Sequence, residues 1–132
     1  MDILKLIHAD QLKFTEELLK KRYGVGVKEI DPELLDELTL KYGYYCIKEL
    51  TEVIDEVNYK HHKFTRFEVN QDKIKEELID AFKFWLNLVI IHGFTMEEIV
   101  QEYFRKSKIV EERLERELKD EGSLTDRKDT DI

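Results

Sequence analysis

Two acidic pairs are the residues of this chain with the clearest potential for chemistry. Glu49 and Glu52 lie three positions apart, and Glu77 and Asp80 repeat that spacing 28 residues later. On a helix, residues three apart lie on one side, about one turn from each other. Two such helices packed together would bring four carboxylates to one place, where they repel each other unless a cation lies among them. The pattern predicts a site for Mg²⁺, which prefers oxygen ligands and also binds phosphates.

The expected position of these acids is beside the apolar stripes of their helices. At about 100° per residue, Glu49, Glu56 and Glu77 fall on the flanks of those stripes, with Glu52 and Asp80 further out on the same side. A metal cleft at the edge of two packed helices is one interpretation. Solvated helix faces are the other, because the chain contains 30 acids and repeats this spacing elsewhere. The stripes are predicted to consist of Cys46, Leu50, Val53 and Val57, and of Ile74, Leu78, Ala81, Trp85 and Leu88.

Other residues offer partners for a phosphorylated ligand. Lys106 and Arg113 lie seven apart and therefore share a helix face. Lys and Arg are the usual phosphate partners, although a solvated basic face is the alternative, since further basic residues lie nearby. Phe84 lies beside the Glu77 flank, where it either stacks on a base or packs in the core.

Four helical segments joined by short connections must position these residues. The periodicity and cap-like residues predict helices over residues 3–23, 31–59, 71–93 and 95–118, with a basic loop at 60–70 that we expect to be functional. Helices joined in this way predict an all-α four-helix bundle. We expect one domain over residues 1–120, followed by a polar C-terminal tail at 121–132.

Charge and composition narrow the classes of function. The formal net charge of −8 argues against nucleic acid as a partner, because phosphate backbones need a basic surface. The single cysteine excludes an internal disulfide and fits a reducing compartment. The N-terminus lacks the plan of a signal peptide, and no apolar run reaches the roughly 18 residues of a transmembrane span. We therefore expect a soluble, cytoplasmic protein that does not contact a membrane.

The acidic pairs resemble those of the dimeric all-α dUTPases and their phage dCTPase–dUTPase relatives, within the all-α NTP pyrophosphatase group that includes MazG-like enzymes. The family places E-x-x-E on one helix and E-x-x-D on the next, as Glu49–Glu52 and Glu77–Asp80 do here. The resemblance is best over residues 74–113. A family motif similar to Y-x-x-K-N-x-x-N-x-x-R corresponds here to Tyr103, Lys106, Ser107, Val110 and Arg113.

The resemblance implies hydrolysis of a deoxynucleoside triphosphate to its monophosphate and pyrophosphate. The substrate that it implies most directly is dUTP. Glu49, in preference to Glu52, would be the catalytic carboxylate that orients or deprotonates the attacking water. Glu56 would support the metal shell. The further roles that the resemblance implies are Mg²⁺ binding by Glu49, Glu52, Glu77 and Asp80, phosphate binding by Lys106 and Arg113, and base binding by Gln11 and Phe84.

The substrate and the assembly leave alternatives open. Ser107 and Val110 stand where relatives have asparagine, so dCTP or a broader dNTP set is the alternative substrate. A helical dimerisation or regulatory module is the non-enzymatic alternative. Relatives dimerise, and we expect a homodimer here that covers apolar side chains such as Phe82, Leu86 and Val89.

Overall fold

All regular structure in the part of the chain that the computed structural model describes, residues 2–57 and 68–120, is helical. The all-α, helical-bundle-like fold is therefore confirmed. Helix α2 ends at Asp55, before the predicted end at 59. Most of the basic loop at 60–70 and all of the tail at 121–132 lie outside the described residues. The elements are α1 (Ile3–Tyr23), a short 3-10 helix (Val27–Glu29), α2 (Pro32–Asp55), α3 (Gln71–Ile91) and α4 (Met96–Lys119).

Local sequence explains where the helices begin and end. Each α-helix follows a short polar side chain that accepts a hydrogen bond from a backbone N–H of the first turn, which would otherwise lack a partner. At α4 the predicted capping box is present, because Glu98 in turn accepts from the N–H of Thr95. Gly24 and Gly93 follow α1 and α3 with φ of 71° and 79°, a region that other residues adopt only with strain. The four N-terminal caps are Asp2, Asp31, Asn70 and Thr95.

The chain forms two compact units, Met1–Phe94 and Thr95–Ile132. In the first unit, α3 is the central helix: it packs along α2 over much of its length and along α1 more narrowly. Within the second unit, α4 is the described element, and its apolar residues follow a helical repeat. No single described helix is long and apolar enough to cross a membrane. Helices α3 and α4 reach the length and apolar composition of a membrane span only when they are counted as one pair across the break between them. The core of the first unit centres on Leu19, Leu38, Tyr42 and Ile91.

The buried faces of α2 and α3 differ from the predicted stripes, which were partly wrong. Leu50 of α2 is exposed, as is Val57 beyond the end of that helix, and Leu78 and Trp85 of α3 are exposed too. Helix α2 carries apolar side chains on two faces, so periodicity alone does not determine which face packs. The rotation of each helix about its own axis differs from the predicted one. Glu49, Glu52 and Glu77 therefore lie where α2 and α3 face each other, rather than on the flank of a buried stripe. Their buried positions include Leu38 and Tyr42 in α2, and Glu77 and Ala81 in α3.

The side chains that were predicted to form an apolar dimer contact, Phe82, Leu86 and Val89, are largely buried within one copy of the chain. Leu86 and Val89 are 1% and 5% exposed within the single chain, and Phe82 is half-buried. These side chains are packed inside one copy because they lie on the inward faces of α3. They leave little apolar area for a second copy to cover.

Candidate metal centre

Three of the four predicted metal ligands converge where α2 packs against α3. One carboxylate oxygen from each of Glu49, Glu52 and Glu77 lies within 4.8 Å of the others. The three-residue spacing directs Glu49 and Glu52 from α2 toward α3, and Glu77 meets them from the opposite helix. Asp80 is not a member of this trio. Among the described residues this is the one group of three or more His, Cys, Asp or Glu side chains close enough to hold a metal ion together.

Glu77 is the buried member of the trio. Its side chain is only 9% exposed, and its buried Oε2 atom has no hydrogen-bond partner among residues 2–57 and 68–120. Buried polar atoms are nearly always paired, because desolvating them without a partner costs free energy. A cation lying among the carboxylates would supply the missing partner.

The three carboxyl groups perturb one another's ionisation. Hydrogen bonding to Glu52, then burial, then hydrogen bonding to Glu49 raise the pKa of Glu77 from its usual 4.5 to about 7. The pKa of Glu49 is also raised, mainly by its hydrogen bond with Glu52 and by burial, with a smaller contribution from the charge of Asp80. Glu52 accepts from both neighbours, first from Glu77, and its pKa is lowered. The three carboxyl groups therefore lie close enough for their titrations to be coupled.

The donor set fits a hard divalent cation. All the groups that converge are carboxylates, and neither imidazole nor thiolate is among them. Oxygen-only ligation suits Mg²⁺, Mn²⁺ or Ca²⁺ rather than zinc or copper, which prefer nitrogen and sulfur. Asp80 is close enough to act on Glu49 electrostatically. Glu56 follows the last residue of α2, and it is not in the trio.

Gln11, the predicted base-binding residue of α1, belongs to a polar cluster inside the protein. It is 4% exposed, and its Nε2 donates to Asn87 Oδ1 over 2.8 Å. Thr15 Oγ1 donates to the same Asn87 oxygen over 2.7 Å, while Lys83 Nζ donates to Gln11 Oε1 over 3.3 Å. Sequence reasoning missed Asn87 and Thr15. The available signal was an asparagine within the apolar run of residues 84–91.

Phe84, the second residue predicted to bind a base, packs in the core. Its ring centroid lies 6.4 Å from that of Tyr42 and 5.2 Å from that of Tyr45, both on α2. Gln11 contacts residues of α3 that face α1. The structure therefore does not bring Gln11 and Phe84 into contact, and base binding by either residue stays a prediction.

A cavity of about 760 Å³ lies between α1 and α3. Ile79, Phe82 and Leu86 line it from α3, and at about 100° per residue they lie on the side of that helix opposite Glu77. Gln11 and Lys83 also line it. The cavity is therefore separate from the carboxylate trio.

The predicted phosphate ligands lie on the remaining helix. Lys106 and Arg113 are both on α4, where their seven-residue separation gives them one face, as predicted. They belong to the second compact unit and the carboxylates to the first. Arg105 nearby is paired with Glu102. The phosphate-binding role of Lys106 and Arg113 stays a prediction.

In comparisons with known proteins, no protein-family model, no curated protein and no solved structure matches this chain.

Proposed function

We propose that this protein is a Mg²⁺-dependent nucleoside triphosphate pyrophosphohydrolase that converts dUTP to dUMP and pyrophosphate. The observation that carries the proposal is the meeting of Glu49, Glu52 and Glu77, in which the buried Oε2 of Glu77 has no partner among the described residues. The reaction class comes from the resemblance of the acidic pairs to the all-α dUTPases. A triphosphate substrate also suits this site, because its charge requires metal ions and its binding does not require a basic protein surface.

The metal ligands in this proposal are Glu49, Glu52 and Glu77, with Asp80 as the fourth. When bound, Mg²⁺ neutralises charge on phosphate oxygens and lowers the pKa of a coordinated water. Burial keeps Glu77 in one place, and among the described residues no donor is bonded to its Oε2. Helix packing therefore holds the ligands in place before a metal arrives, which reduces the cost of binding.

Glu49 is the proposed catalytic base. It is half-buried, and it lies among carboxylates whose proximity raises its pKa, first through Glu52. The resemblance assigns the base role to Glu49, and its place in the trio would hold its carboxylate beside a metal-coordinated water. Glu52 acts as a metal ligand beside it.

The remaining residues in the proposal bind the two ends of the nucleotide. Lys106 and Arg113 hold the terminal phosphates, for which cationic side chains are the usual partners. The resemblance assigns base contact to Gln11, whose amide is held in one orientation by Asn87 and Lys83. It assigns a second base contact to Phe84, whose ring packs against Tyr42 and Tyr45. A cytoplasmic location belongs to the same proposal, since dNTP hydrolysis needs access to the nucleotide pool.

The test measures pyrophosphate release from dUTP, dCTP, dTTP, dATP, dGTP and UTP, with Mg²⁺ and with chelator. We expect chelator-sensitive release from dUTP. Glu77→Gln should abolish release, whereas Glu76→Gln, which changes the exposed neighbouring carboxylate, should leave it intact. Release from dCTP or from several substrates would retain the mechanism and change the substrate. No release from any of them, despite native helicity, would refute the enzymatic proposal and favour a dimerisation or regulatory module.

A further inference from the structure

The hydrogen bonds of the polar cluster between α1 and α3 all run in one direction. Lys83 Nζ donates to Gln11 Oε1 over 3.3 Å, and Gln11 Nε2 donates to Asn87 Oδ1 over 2.8 Å. Thr15 Oγ1 donates to the same Asn87 oxygen over 2.7 Å. Gln11, Thr15 and Asn87 are at most 4% exposed, so their polar atoms depend on partners inside the protein. We call these four residues the hydrogen-bond row.

Lys83 is the member of the row that cannot exchange donor for acceptor. The amides of Gln11 and Asn87 exchange oxygen and nitrogen when they turn over, and a hydroxyl both donates and accepts. An ammonium group only donates. If the amide of Gln11 turned over, its Nε2 would meet the ammonium of Lys83, donor against donor. Lys83 therefore fixes the amide of Gln11, with its oxygen toward Lys83 and its nitrogen toward Asn87.

Lys83 and Gln11 also lie together in the wall of the cavity between α1 and α3. Lys83 is exposed, and its ammonium has three N–H groups, of which the bond to Gln11 uses one. The amide oxygen of Gln11 has two lone pairs, of which the same bond uses one. Where the two side chains meet, they can offer a ligand a donor beside an acceptor.

The position of Lys83 on α3 connects this pair to the carboxylates. Lys83 follows Asp80 by three residues, so the two lie on one side of the helix, about one turn apart. At about 100° per residue, Asp80 lies between Glu77 and Lys83 around the helix, and the rise from Glu77 to Lys83 is about 9 Å. A nucleotide whose phosphates are held by metal ions at the trio can therefore extend its base along this side of α3 toward Lys83.

We infer that Lys83 determines base specificity, and that it and Gln11 together select uracil over cytosine. The role of Lys83 rests on the proposed function and deepens it, because the carboxylates do not distinguish one base from another. In uracil, O4 accepts a hydrogen bond from Lys83 and N3–H donates one to Gln11 Oε1.

Cytosine presents the reverse pattern to the same pair. Its N4 amino group donates and its N3 accepts, so donor meets donor at Lys83 and acceptor meets acceptor at Gln11. A site that hydrogen-bonds one ligand rejects another that leaves its polar groups unpaired. Thymine has the same edge as uracil, so cytosine is the competitor that tests the pair.

The first measurement is kcat/KM for dUTP and for dCTP with Mg²⁺, expressed as a ratio, because the ratio cancels effects of a variant on metal binding. We expect dUTP to be favoured about 10- to 100-fold, the discrimination of one two-bond base contact. Lys83→Met should bring the ratio to within about threefold of one, whereas Lys83→Arg, which keeps the donors, should retain it. The matched control is Lys13→Met, which removes a second exposed lysine of the same cavity wall and should leave the ratio unchanged.

Lys83→Glu tests the direction of the row itself. An ionised carboxylate only accepts, so the amide of Gln11 turns over to donate to it, Asn87 turns over in response, and the Thr15 hydroxyl becomes the acceptor. Every buried group keeps a partner, and the pair now presents the pattern that cytosine requires. We expect the preference to invert, with dCTP favoured about 10-fold. An unchanged preference for dUTP in this variant, with native far-UV circular dichroism, would overturn the role of Lys83.

Equilibrium binding separates a failure of this role from a failure of the proposed function. Isothermal titration calorimetry with the α,β-imido analogues of dUTP and dCTP measures binding without turnover. Chelator-sensitive pyrophosphate release without preference between dUTP and dCTP would retain the enzyme and refute the role of Lys83. Preferential binding of the dUTP analogue that is lost in Lys83→Met, without turnover of either nucleotide, would refute the enzyme and support the role of Lys83. Binding of neither analogue would overturn both.

Discussion

The polar cluster around Asn87 provides a quantitative test of how the first unit is held together. Asn87 Oδ1 accepts two hydrogen bonds, at 2.8 Å from Gln11 and at 2.7 Å from Thr15. All three side chains are almost fully buried. Replacing Asn87 with Ala therefore leaves two buried donors without their acceptor. Each unsatisfied donor costs about 1–3 kcal/mol, so for two donors the unfolding free energy should fall by about 2–6 kcal/mol.

Thr15→Val provides the comparison. It removes one of the two hydrogen bonds with little change in volume, and Asn87 Oδ1 keeps its bond from Gln11. The expected loss is about 1 kcal/mol. In a chain that already carries Asn87→Ala, the Thr15 hydroxyl has no acceptor to lose. Thr15→Val should then be neutral or stabilising, with a coupling energy of about 1–2 kcal/mol between the two positions.

Urea denaturation followed by circular dichroism measures all four proteins of this cycle. The dependence of the unfolding free energy on urea concentration should be the same in all four proteins. Their midpoint urea concentrations can then be compared directly. An Asn87→Ala variant within about 0.5 kcal/mol of the original protein would refute the assignment of Asn87 as the shared acceptor. Strictly additive losses from the two changes would also contradict it, because residues that share a hydrogen bond must couple.

Three further predictions concern the carboxylates and one helix end. The pKa of Glu77 is raised from 4.5 to about 7. Between these two pH values the folded, metal-free protein therefore binds more protons than the unfolded chain. The free energy of unfolding should fall as pH rises from about 4.5 to 7. The pKa of Glu49 is also raised, which adds to this decline in stability. The lowered pKa of Glu52 affects stability only below about pH 4.5. Thermal unfolding across this range should show the decline in the original protein and a much smaller one in Glu77→Gln. Mg²⁺ at about 100 times its dissociation constant should raise the free energy of unfolding by about 2.7 kcal/mol. Calorimetry should show this gain in the original protein and in the Glu76→Gln variant. An equal gain in the Glu77→Gln variant would exclude the three glutamates as the metal site. Gly93→Ala should cost about 1 kcal/mol in urea denaturation, because φ of 79° strains an alanine; an unchanged midpoint would contradict this.

Local signals in the sequence determined the helices and the residues from which a site could be built. Asp31 before Pro32, and Thr95 with Glu98, predicted helix starts that the structure contains, because capping depends on residues within one turn. Gly93 likewise predicted the end of α3. The three-residue spacing of Glu49 and Glu52 directs both side chains to one side in any helix. These features depend on neighbours in the chain, so the sequence is sufficient to predict them.

Tertiary packing decided what surrounds those residues. Periodicity gives the angles between side chains on one helix, but α2 has apolar residues on two faces and either face could pack against α3. The rotation actually adopted exposes Leu50 and buries Glu77, so that three carboxylates meet around an oxygen that has no partner among the described residues. The bond between Gln11 and Asn87 joins residues 76 positions apart, and a contact at that separation exists only once α1 packs on α3.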